Sequence, residues 1–270
     1  MSMYMVLAKI WDFINGSKDR NVYETTKSVN EYMAFHYTPP SEYIAQPFCP
    51  KEHLDFPLRC AELCIKHKNQ DVKSRALDIG CAVGRASFEL ARAYQEVVAI
   101  DYSSAFVNVC QDLKAAGEKP YILKTEGDLG ESKIAKINPN IDRTRVVFST
   151  GDAGNLGDIG QFGCVLAANL VCRMKEPAKF MNSLHDLVIP GGIVVLTTPL
   201  SWSEEFSSKE KWLGGYMKND QEVCGLQTIK EIMLQHFELL EEPSMPFVIR
   251  ETVNKYHWVC PQTTVWRRNV

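Results

Sequence analysis

The sequence has no apolar run long enough to cross a membrane, no excess of positive charge and no paired-cysteine motif. Its apolar stretches all fall short of the roughly 18 residues that a membrane helix needs. The formal net charge of −3 provides no basic patch for nucleic acid or an anionic membrane surface. Residues 1–20 lack a basic start and a small-residue cleavage site, so no secretory signal is expected. These absences predict a cytoplasmic protein with no nucleic-acid or membrane partner.

The nine cysteines are spaced in a way that argues against disulfides and metal sites. No C-x-x-C pair occurs, and Cys60 and Cys64, one helical turn apart, have no second Cys/His pair nearby. An odd number of thiols is typical of buried free cysteines in a reducing compartment. We therefore expect no bound metal.

The chain does contain a regular alternation of short apolar runs and amphipathic stretches, which starts at residue 75. This alternation favours an α/β fold with parallel strands and right-handed crossovers. Strands are predicted over 75–80, 96–101, 145–153, 162–171, 193–199, 246–252 and 256–268, and helices over 57–68, 85–94, 103–117, 177–192 and 227–242. The last two strands are expected to form an antiparallel edge. With 270 residues, 45% of them hydrophobic, the chain can bury a sizeable core.

Two regions fall outside this alternation. Residues 1–70 are rich in proline and aromatic residues, and the prolines of 39–50 forbid a continuous helix there. We predict that 1–70 form an N-terminal cap that covers the substrate, and that 71–270 form the ligand-binding domain. Residues 121–142 are predicted to be an insertion before the third strand.

A turn of small residues follows the first predicted strand, in the stretch RALDIGCAVGRASFELA. Asp78 ends the apolar run, and Gly80, Ala82 and Gly84 let the backbone of the turn approach a ligand closely. The helix that follows offers free N–H groups to a carboxylate or other anion. The G-x-A-x-G spacing differs from the G-x-G-x-x-G of dinucleotide-binding enzymes.

The next two strands end in acids as well. Asp101 ends the second strand, where a carboxylate can accept hydrogen bonds from both hydroxyls of a ribose. Asp152 and Ala153 end the third, where a carboxylate and a backbone N–H can read an adenine. Because ligands bind beyond the carboxyl ends of the strands in open α/β sheets, the three tips together predict an adenosyl amino-acid site.

These motifs resemble those of the class I S-adenosylmethionine-dependent methyltransferases. The resemblance implies a Rossmann-like sheet of seven mostly parallel strands with an antiparallel last strand. It also implies S-adenosylmethionine as the cofactor and S-adenosylhomocysteine as its product. The cofactor-binding residues predicted on this basis are Asp78, Gly80, Cys81, Ala82, Gly84, Arg85, Asp101, Tyr102, Ser103, Asp152, Ala153 and Asn169, with Tyr37 and Arg59 from the cap.

A closer resemblance covers nearly the whole chain from about residue 20. Segments such as NVYETTKSVNEYMAFHY, GQFGCVLAANLVCRMKEP, KEKWLGGY and PFVIRETVNKYHWV are similar to the 4-mercaptohistidine N-methyltransferase region of ovothiol-synthesis proteins. This implies methylation of the imidazole pi nitrogen of 4-mercaptohistidine, a small amino-acid substrate, to give ovothiol. The iron-dependent sulfoxide synthase often fused to that region is absent, and the six histidines lack its short spacing. A separate sulfoxide synthase is therefore a possible partner. Leu200 stands where that family has Tyr.

The resemblance and the strand ends also suggest residues for the methyl acceptor. Asn169 ends the fourth strand. The predicted catalytic residues are Asn169 and Tyr37. Residues 201–216 are interpreted as a lid with a hinge at Gly214–Gly215. The predicted substrate-binding residues are Arg173, Trp202, Trp212, Tyr216, Arg250 and Glu251. Tyr32 of the cap is expected to help to cover the cofactor.

Three other functions remain open at this point. The acceptor could be another small amine or carboxylate, or the protein could bind the cofactor without catalysis. The intact set of Asp78, Asp101 and Asp152 argues against a silent protein. A nicotinamide enzyme is the least favoured alternative because of the glycine spacing.

Overall fold

A computed structural model describes residues 22–44, 46 and 48–270. The prediction about a secretory signal concerns residues that lie outside this range. Thirteen strands and seven α-helices occur in the described residues.

Seven of the strands form one twisted sheet. Their bounds are β1 Arg75–Ile79, β2 Glu96–Asp101, β5 Val146–Thr150, β6 Phe162–Ala168, β7 Val188–Thr198, β10 Phe237–Glu241 and β13 Gln262–Arg268. They lie in the order β10-β13-β7-β6-β1-β2-β5. The strand β13 is antiparallel to both of its neighbours, and the other adjacent pairs are parallel. The predicted Rossmann-like sheet with an antiparallel last strand is confirmed.

Helices cover both faces of this sheet. Their bounds are α1 Thr26–Tyr37, α2 Pro40–Tyr43, α3 Phe56–Lys66, α4 Arg85–Leu90, α5 Ser104–Ala116, α6 Pro177–Leu187 and α7 Gly225–Met233. Phe56, Phe88 and Phe106 of α3, α4 and α5 belong to one buried cluster, whereas Phe180 of α6 and Ile229 of α7 belong to a second. Alternate residues of the central strands join each cluster, as expected for a sheet that is buried on both faces.

Three short hairpins lie outside the main sheet. They pair β3 Glu118–Glu126 with β4 Leu129–Lys136, β8 Tyr216–Lys218 with β9 Gln221–Val223, and β11 Phe247–Thr252 with β12 Lys255–Val259. The buried Arg250 guanidinium joins two of them to the cap, since it donates to the carbonyls of Glu42 and Tyr43 at 3.3 and 3.0 Å and of Lys124 at 3.1 Å. The cap and two distant hairpins therefore pack as one unit, which we call the clasp (residues 26–43, 118–136 and 247–259).

The structure corrects the predicted end of the chain. Residues 246–252 do not form a strand of the sheet edge, because β11 pairs only with β12 and β13 alone continues into the sheet. The edge partner of β13 is β10, which was predicted to be the end of a long helix over 227–242. The helix α7 ends at Met233, and the apolar residues that follow alternate as a strand.

Two smaller predictions also differ from the structure. The helix that begins at Pro177 was predicted to be stopped by Pro190 and Gly191. It ends earlier, at Leu187, and Pro190 and Gly191 lie within β7, where a register shift accommodates them. The insertion predicted over 121–142 overlaps the hairpin of β3 and β4, which begins earlier, at Glu118. By contrast, the predicted end of the third helix at Gly117 is confirmed, since this residue caps α5 with φ +81°.

Candidate active site

The turn after β1 has a backbone that only small residues can form. Gly80 and Gly84 have φ values of +76° and +81°, and Ala82 is also left-handed at +47°. A Cβ on Gly84 would lie 2.9 Å from Cys110 Sγ and 3.0 Å from the Phe148 ring. The turn is therefore packed closely against α5 and β5.

Asp78 lies near the carboxyl end of β1, just before this turn. It is 1% exposed, and its carboxylate accepts a hydrogen bond from Ser87 Oγ at 2.6 Å. Burial raises the pKa of Asp78 to about 7, with a smaller contribution from Asp101, while the hydrogen bond from Ser87 acts in the opposite direction. Asp78 thus titrates near neutral pH.

Asp101 links the ends of β1 and β2. One carboxylate oxygen accepts from the Ala82 N–H at 2.8 Å, and the other accepts from the Ser103 N–H at 2.9 Å. Burial raises the pKa of Asp101, and these backbone N–H groups oppose that rise. Each oxygen retains a lone pair for a further donor, so the carboxylate is held in place for a ribose.

The end of the third predicted strand is more exposed to solvent than the first two. Asp152 is exposed, and its carboxylate accepts from the Gly154 N–H at 2.8 Å in a tight turn after β5. Ala153 and Tyr102 are half-buried and 62% exposed, respectively. These residues flank the position predicted for the adenine, and their contacts with it stay a prediction.

The helix α1 is attached to the glycine-rich turn. The buried Tyr37 hydroxyl donates to the Val83 carbonyl at 2.8 Å, and Arg85 donates to the His36 carbonyl at 3.2 Å. The predicted catalytic role of Tyr37 differs from this placement, because its hydroxyl is bonded to the turn. The structure instead makes Tyr37 a support for the turn.

Cys81, in the same turn, is buried as well. Its thiol lies beside Cys110, and a hydrogen bond between the two thiols and burial raise the pKa of Cys81. A protonated, enclosed thiol is a poor nucleophile. Cys81 therefore contributes its small volume to the turn.

A second attachment joins the start of the cap to α5. The Glu24 carboxylate accepts from the backbone N–H groups of Ser104 and Ala105 at 2.7 and 3.1 Å, where the helix dipole favours an anion. Ser103 Oγ donates to the Tyr23 carbonyl at 3.1 Å. The cap thus contacts Ser103 and the start of α5, while Tyr102 stays exposed.

Tyr32 lies under this part of the cap. Its ring centroid is 4.7 Å from that of Phe106 and 5.9 Å from that of Tyr23. Burial raises the pKa of Tyr32, as do Tyr23 and the charge of Asp101, whereas Arg173 acts in the opposite direction. The Tyr32 hydroxyl therefore lies within electrostatic reach of both the second and the fourth strand ends.

The fourth strand end carries Asn169, whose backbone is left-handed at φ +55°. Its N–H donates to the Thr197 carbonyl at 2.8 Å, and its Oδ1 accepts from the Thr197 hydroxyl at 2.9 Å. The next strand, β7, is followed by Leu200 at φ +53°, an uncommon conformation for a bulky side chain. Strained non-glycine residues at neighbouring strand ends are typical of binding sites.

Arg173 and the lid aromatics follow these strand ends. The Arg173 guanidinium donates to the Ser201 carbonyl at 2.9 Å and lies 4.6 Å from the Phe206 ring centroid. Trp212 donates its indole N–H to the Ser207 carbonyl at 3.0 Å, and Trp202 and Tyr216 are half-buried. The structure thus joins Arg173 to the lid, and the contacts of these residues with a substrate stay predictions.

The predicted hinge in the lid lies at a close backbone crossing. A Cβ on Gly214 would lie 2.2 Å from the Gly225 backbone nitrogen, so two chain segments cross at this glycine. Gly214 is buried at the crossing. Gly214 therefore packs the lid against the start of α7, and the predicted hinge stays a prediction.

Two predicted substrate residues are engaged elsewhere. Arg250 is the buried guanidinium of the clasp, and Glu251 pairs with Lys255 and His257 at 2.8 and 2.9 Å on the β11–β12 hairpin. Both differ from the expectation of a free charge at the site, because their partners lie in the clasp. Arg59 donates to the carbonyls of Leu54 and Pro246, and its predicted cofactor contact stays a prediction.

Asp55 is a candidate site residue that was not predicted from the sequence. It precedes α3 with φ +53°, yet its carboxylate makes no capping hydrogen bond. Burial raises its pKa, and the nearby guanidinium groups of Arg85 and Arg59 oppose the rise. The sequence does show an aspartate directly before Phe-Pro at a predicted helix start. This pattern is equally typical of an ordinary helix N-cap, so it does not indicate a site residue.

The fold is the Rossmann-like fold of methyltransferases, and the carboxyl ends of β1, β2 and β5 stay its predicted cofactor site. The family model of the methyltransferase domain matches residues 48–236. The chain belongs to this family, and it is an S-adenosylmethionine-dependent methyltransferase.

Curated relatives match only part of the chain. The ubiquinone biosynthesis O-methyltransferase of Ruegeria pomeroyi is 28% identical over 125 residues, which are 46% of this chain and 40% of that protein. The protein of the same name from Azorhizobium caulinodans is 25% identical over 145 residues, 51% of this chain and 47% of that one. The chain thus spans less than half the length of these relatives.

Solved structures share the fold over most of the chain. The magnesium protoporphyrin IX methyltransferase ChlM of Synechocystis PCC 6803, with bound SAH, has a TM-score of 0.55 at 15% identity and covers 93% of this chain and 98% of its own. The 4+2 cyclase SpnF has a TM-score of 0.56 at 14% identity and covers 92% and 94%. At these identities the likeness establishes the architecture.

The residues at the three strand ends fit the cofactor chemically. The turn at Gly80–Gly84 has the small residues and left-handed backbone that a close approach requires, and Asp101 is already oriented by two backbone N–H groups. The bound sulfonium supplies an activated methyl group, so the protein mainly has to align the acceptor. Within the described ranges, no group of three potential metal ligands occurs and no helix is long and apolar enough to cross a membrane.

Proposed function

We propose that this chain methylates the imidazole pi nitrogen of 4-mercaptohistidine to give ovothiol, in the cytoplasm. The observation that carries the proposal is the chemistry of the β6 end. Asn169 and Arg173 present hydrogen-bond donors there, and Arg173 is tied to the lid through Ser201. Donors at this position suit an acceptor with a carboxylate and an anionic sulfur.

The whole-chain resemblance supports the identity of the acceptor. It extends to the clasp, the β6 end and the lid, which we propose to be the segments that surround the acceptor. The clasp brings residues 42 and 250 together across the fold. A substrate-specific family is expected to preserve such segments in addition to the general cofactor motifs.

The role of the protein in this reaction is to orient the methyl donor and the acceptor. The ring nitrogen uses its lone pair to form the new N–CH3 bond as the sulfonium–methyl bond breaks, and that bond's electrons stay on the thioether sulfur of S-adenosylhomocysteine. With the acceptor as a thiolate, the product is a methylimidazolium thiolate, so no proton has to move in the same step. Burial lowers the pKa of His36 to about 3, so this residue is neutral at pH 7. We therefore assign it no part in proton transfer.

The acceptor requires a prior reaction that installs sulfur on histidine. We propose that a separate sulfoxide synthase supplies it. A pull-down of this chain with such a synthase, compared with an unrelated methyltransferase of similar charge, tests a direct association. Equal recovery of both methyltransferases would contradict it.

A second candidate is another small amine or carboxylate acceptor. Leu200 favours it, because this residue replaces the Tyr of the resembling family at the end of β7, beside Trp202 and Gly225. A missing hydroxyl at that position changes which polar groups of an acceptor can be satisfied.

The test is mass spectrometry of products formed with the methyl donor and 4-mercaptohistidine, histidine or a phenol. We expect N-methylation of 4-mercaptohistidine alone, with S-adenosylhomocysteine formed in equal amount. A preference for histidine, or methylation of the phenolic hydroxyl, would contradict the proposed acceptor while leaving the methyltransferase class intact.

A further inference from the structure

The carboxamide of Asn169 is held in one orientation by a buried threonine. Thr197 is 0% exposed, and its hydroxyl accepts the Asn169 backbone N–H at 3.0 Å. The hydroxyl proton also needs an acceptor, because an unpaired buried donor is costly. Among the residues that the structure describes, Asn169 Oδ1 at 2.9 Å is the group that receives it.

This bond determines which end of the amide faces the site. With Oδ1 bound to Thr197, the two N–H groups of Nδ2 point away from β7, and no described residue accepts from them. The backbone allows this only because Asn169 is left-handed, which returns its N–H to the end of the neighbouring strand. Asn tolerates that conformation better than other non-glycine residues.

We propose that Thr197 is a positioning residue, which turns Asn169 so that Nδ2 donates to the sulfur of the acceptor and so directs methylation to the ring nitrogen. This inference rests on the proposed function. The donor cannot bond to the attacking nitrogen itself, since that would occupy the lone pair that forms the N–CH3 bond. A hydrogen bond to the sulfur instead engages the lone pairs that would otherwise form a competing S–CH3 bond.

The neighbouring strand supplies a matched control. Thr263 is the cross-strand partner of Thr197 on the same face, and it is 4% exposed. Its hydroxyl has no hydrogen-bond partner among the described residues. Thr263→Val therefore makes the same change of hydroxyl to methyl in the same layer, without removing a bond to Asn169.

The test measures the ratio of N-methyl to S-methyl product in saturating 4-mercaptohistidine. Thr197→Val should lower kcat/KM for the acceptor about tenfold, the effect of one lost hydrogen bond, and raise the S-methyl fraction severalfold. Thr197→Ser should restore wild-type values, and Thr263→Val should match wild type. Thr197→Val added to Asn169→Ala should cause no further loss, because the two act through one contact. An unchanged product ratio in Thr197→Val, or additive losses, would overturn the proposal.

A second readout is independent of the acceptor. In the complex with S-adenosylhomocysteine, the side-chain N–H signals of Asn169, assigned by their loss in Asn169→Asp, should form one sharp pair in wild type and Thr197→Ser. In Thr197→Val they should move toward the shifts of a solvent-exposed asparagine, because the amide becomes free to rotate about its Cβ–Cγ bond. Unchanged shifts in Thr197→Val would overturn the inference even if the enzyme uses a different acceptor. If wild type does not methylate 4-mercaptohistidine, only the proposed function fails.

Discussion

The cofactor end and the acceptor end of this site are built in different ways. At the cofactor end, the Asp101 carboxylate bonds to backbone N–H groups 2 and 19 positions away, although α1 also reaches the glycine-rich turn from 46 positions away. At the acceptor end, Asn169 depends on a residue 28 positions away, and Arg250 joins segments up to 208 positions apart. The comparison teaches that the Asp101 carboxylate is positioned by nearby turns, whereas Asn169 and Arg250 are positioned only once distant segments have packed.

The strongest test of the cofactor end is Gly84→Ala. A methyl group there would meet Cys110 and Phe148 at about 3 Å in a left-handed backbone, so we expect the free energy of unfolding to fall by about 3 kcal/mol. Binding of S-adenosylhomocysteine should weaken with it. Gly127→Ala is the control, because Gly127 is also left-handed but has nothing within 4 Å, and about 1 kcal/mol is expected. Equal losses in the two variants, measured by denaturant unfolding, would show that close packing is not what constrains the turn.

Arg250→Met is the corresponding test of the acceptor end. The substitution keeps the apolar stem but leaves three carbonyls without their donor, so we expect a loss of about 2–3 kcal/mol in the free energy of unfolding. None of the three carbonyls belongs to a residue that bonds to the glycine-rich turn, so we expect the acceptor KM to rise while the Kd of S-adenosylhomocysteine stays within twofold. Arg92→Met, at a half-exposed arginine paired with Glu89, should change neither. A parallel loss of cofactor affinity would contradict the division of the site into two ends.

Asp101→Asn should affect the cofactor end of the site and leave the acceptor end unchanged. The amide keeps one acceptor oxygen but places N–H groups where a backbone N–H or a ribose hydroxyl must donate. We expect calorimetry to show S-adenosylhomocysteine affinity reduced about ten- to hundredfold, with the acceptor KM unchanged at saturating cofactor. Asp112→Asn, at the exposed partner of Lys119, is the control and should bind normally. Normal binding by Asp101→Asn would exclude a ribose contact at this carboxylate.

How much of this could be predicted from the sequence follows from the same division. Asp78, Asp101 and Gly84 are recognisable because each follows a short apolar strand, and parallel strands place such ends together. The clasp was missed because nothing local in residues 246–252 distinguishes a separate hairpin from a sheet strand. From the sequence, Arg250 is expected to be a free charge. Only the packing of the cap shows that its guanidinium N–H groups already donate hydrogen bonds within the protein.

The helices show the same limit at their ends. The boundary at Gly117 is encoded by a single residue that can adopt a left-handed cap. The helix predicted over 227–242 ends early because Phe237–Glu241 gain a strand partner in β13, which lies about 25 residues further along the chain. Thr197 was not singled out for a related reason: in a buried strand, threonine reads as an ordinary β-branched residue.

The smallest expected effect is the pH dependence that Asp78 contributes. Its pKa in the folded protein is about 7, above that of an unfolded aspartate, so the folded state binds the extra proton between these two values. Stability from this group is therefore full at low pH and is lost as the pH rises through 7. Relative to Asp78→Asn, the wild-type free energy of unfolding should fall by about 1–2 kcal/mol between pH 5.5 and 8. Parallel curves for the two proteins would show that Asp78 does not titrate in this range.

A crystal structure of the complex with S-adenosylhomocysteine tests the central claim most directly. The account predicts the amino-acid part of the ligand over the Gly80–Gly84 turn, its ribose hydroxyls on the Asp101 carboxylate and its adenine beside Asp152 and Ala153. The thioether sulfur should face Asn169. A ligand seated elsewhere, or one whose ribose makes no contact with Asp101, would contradict the account.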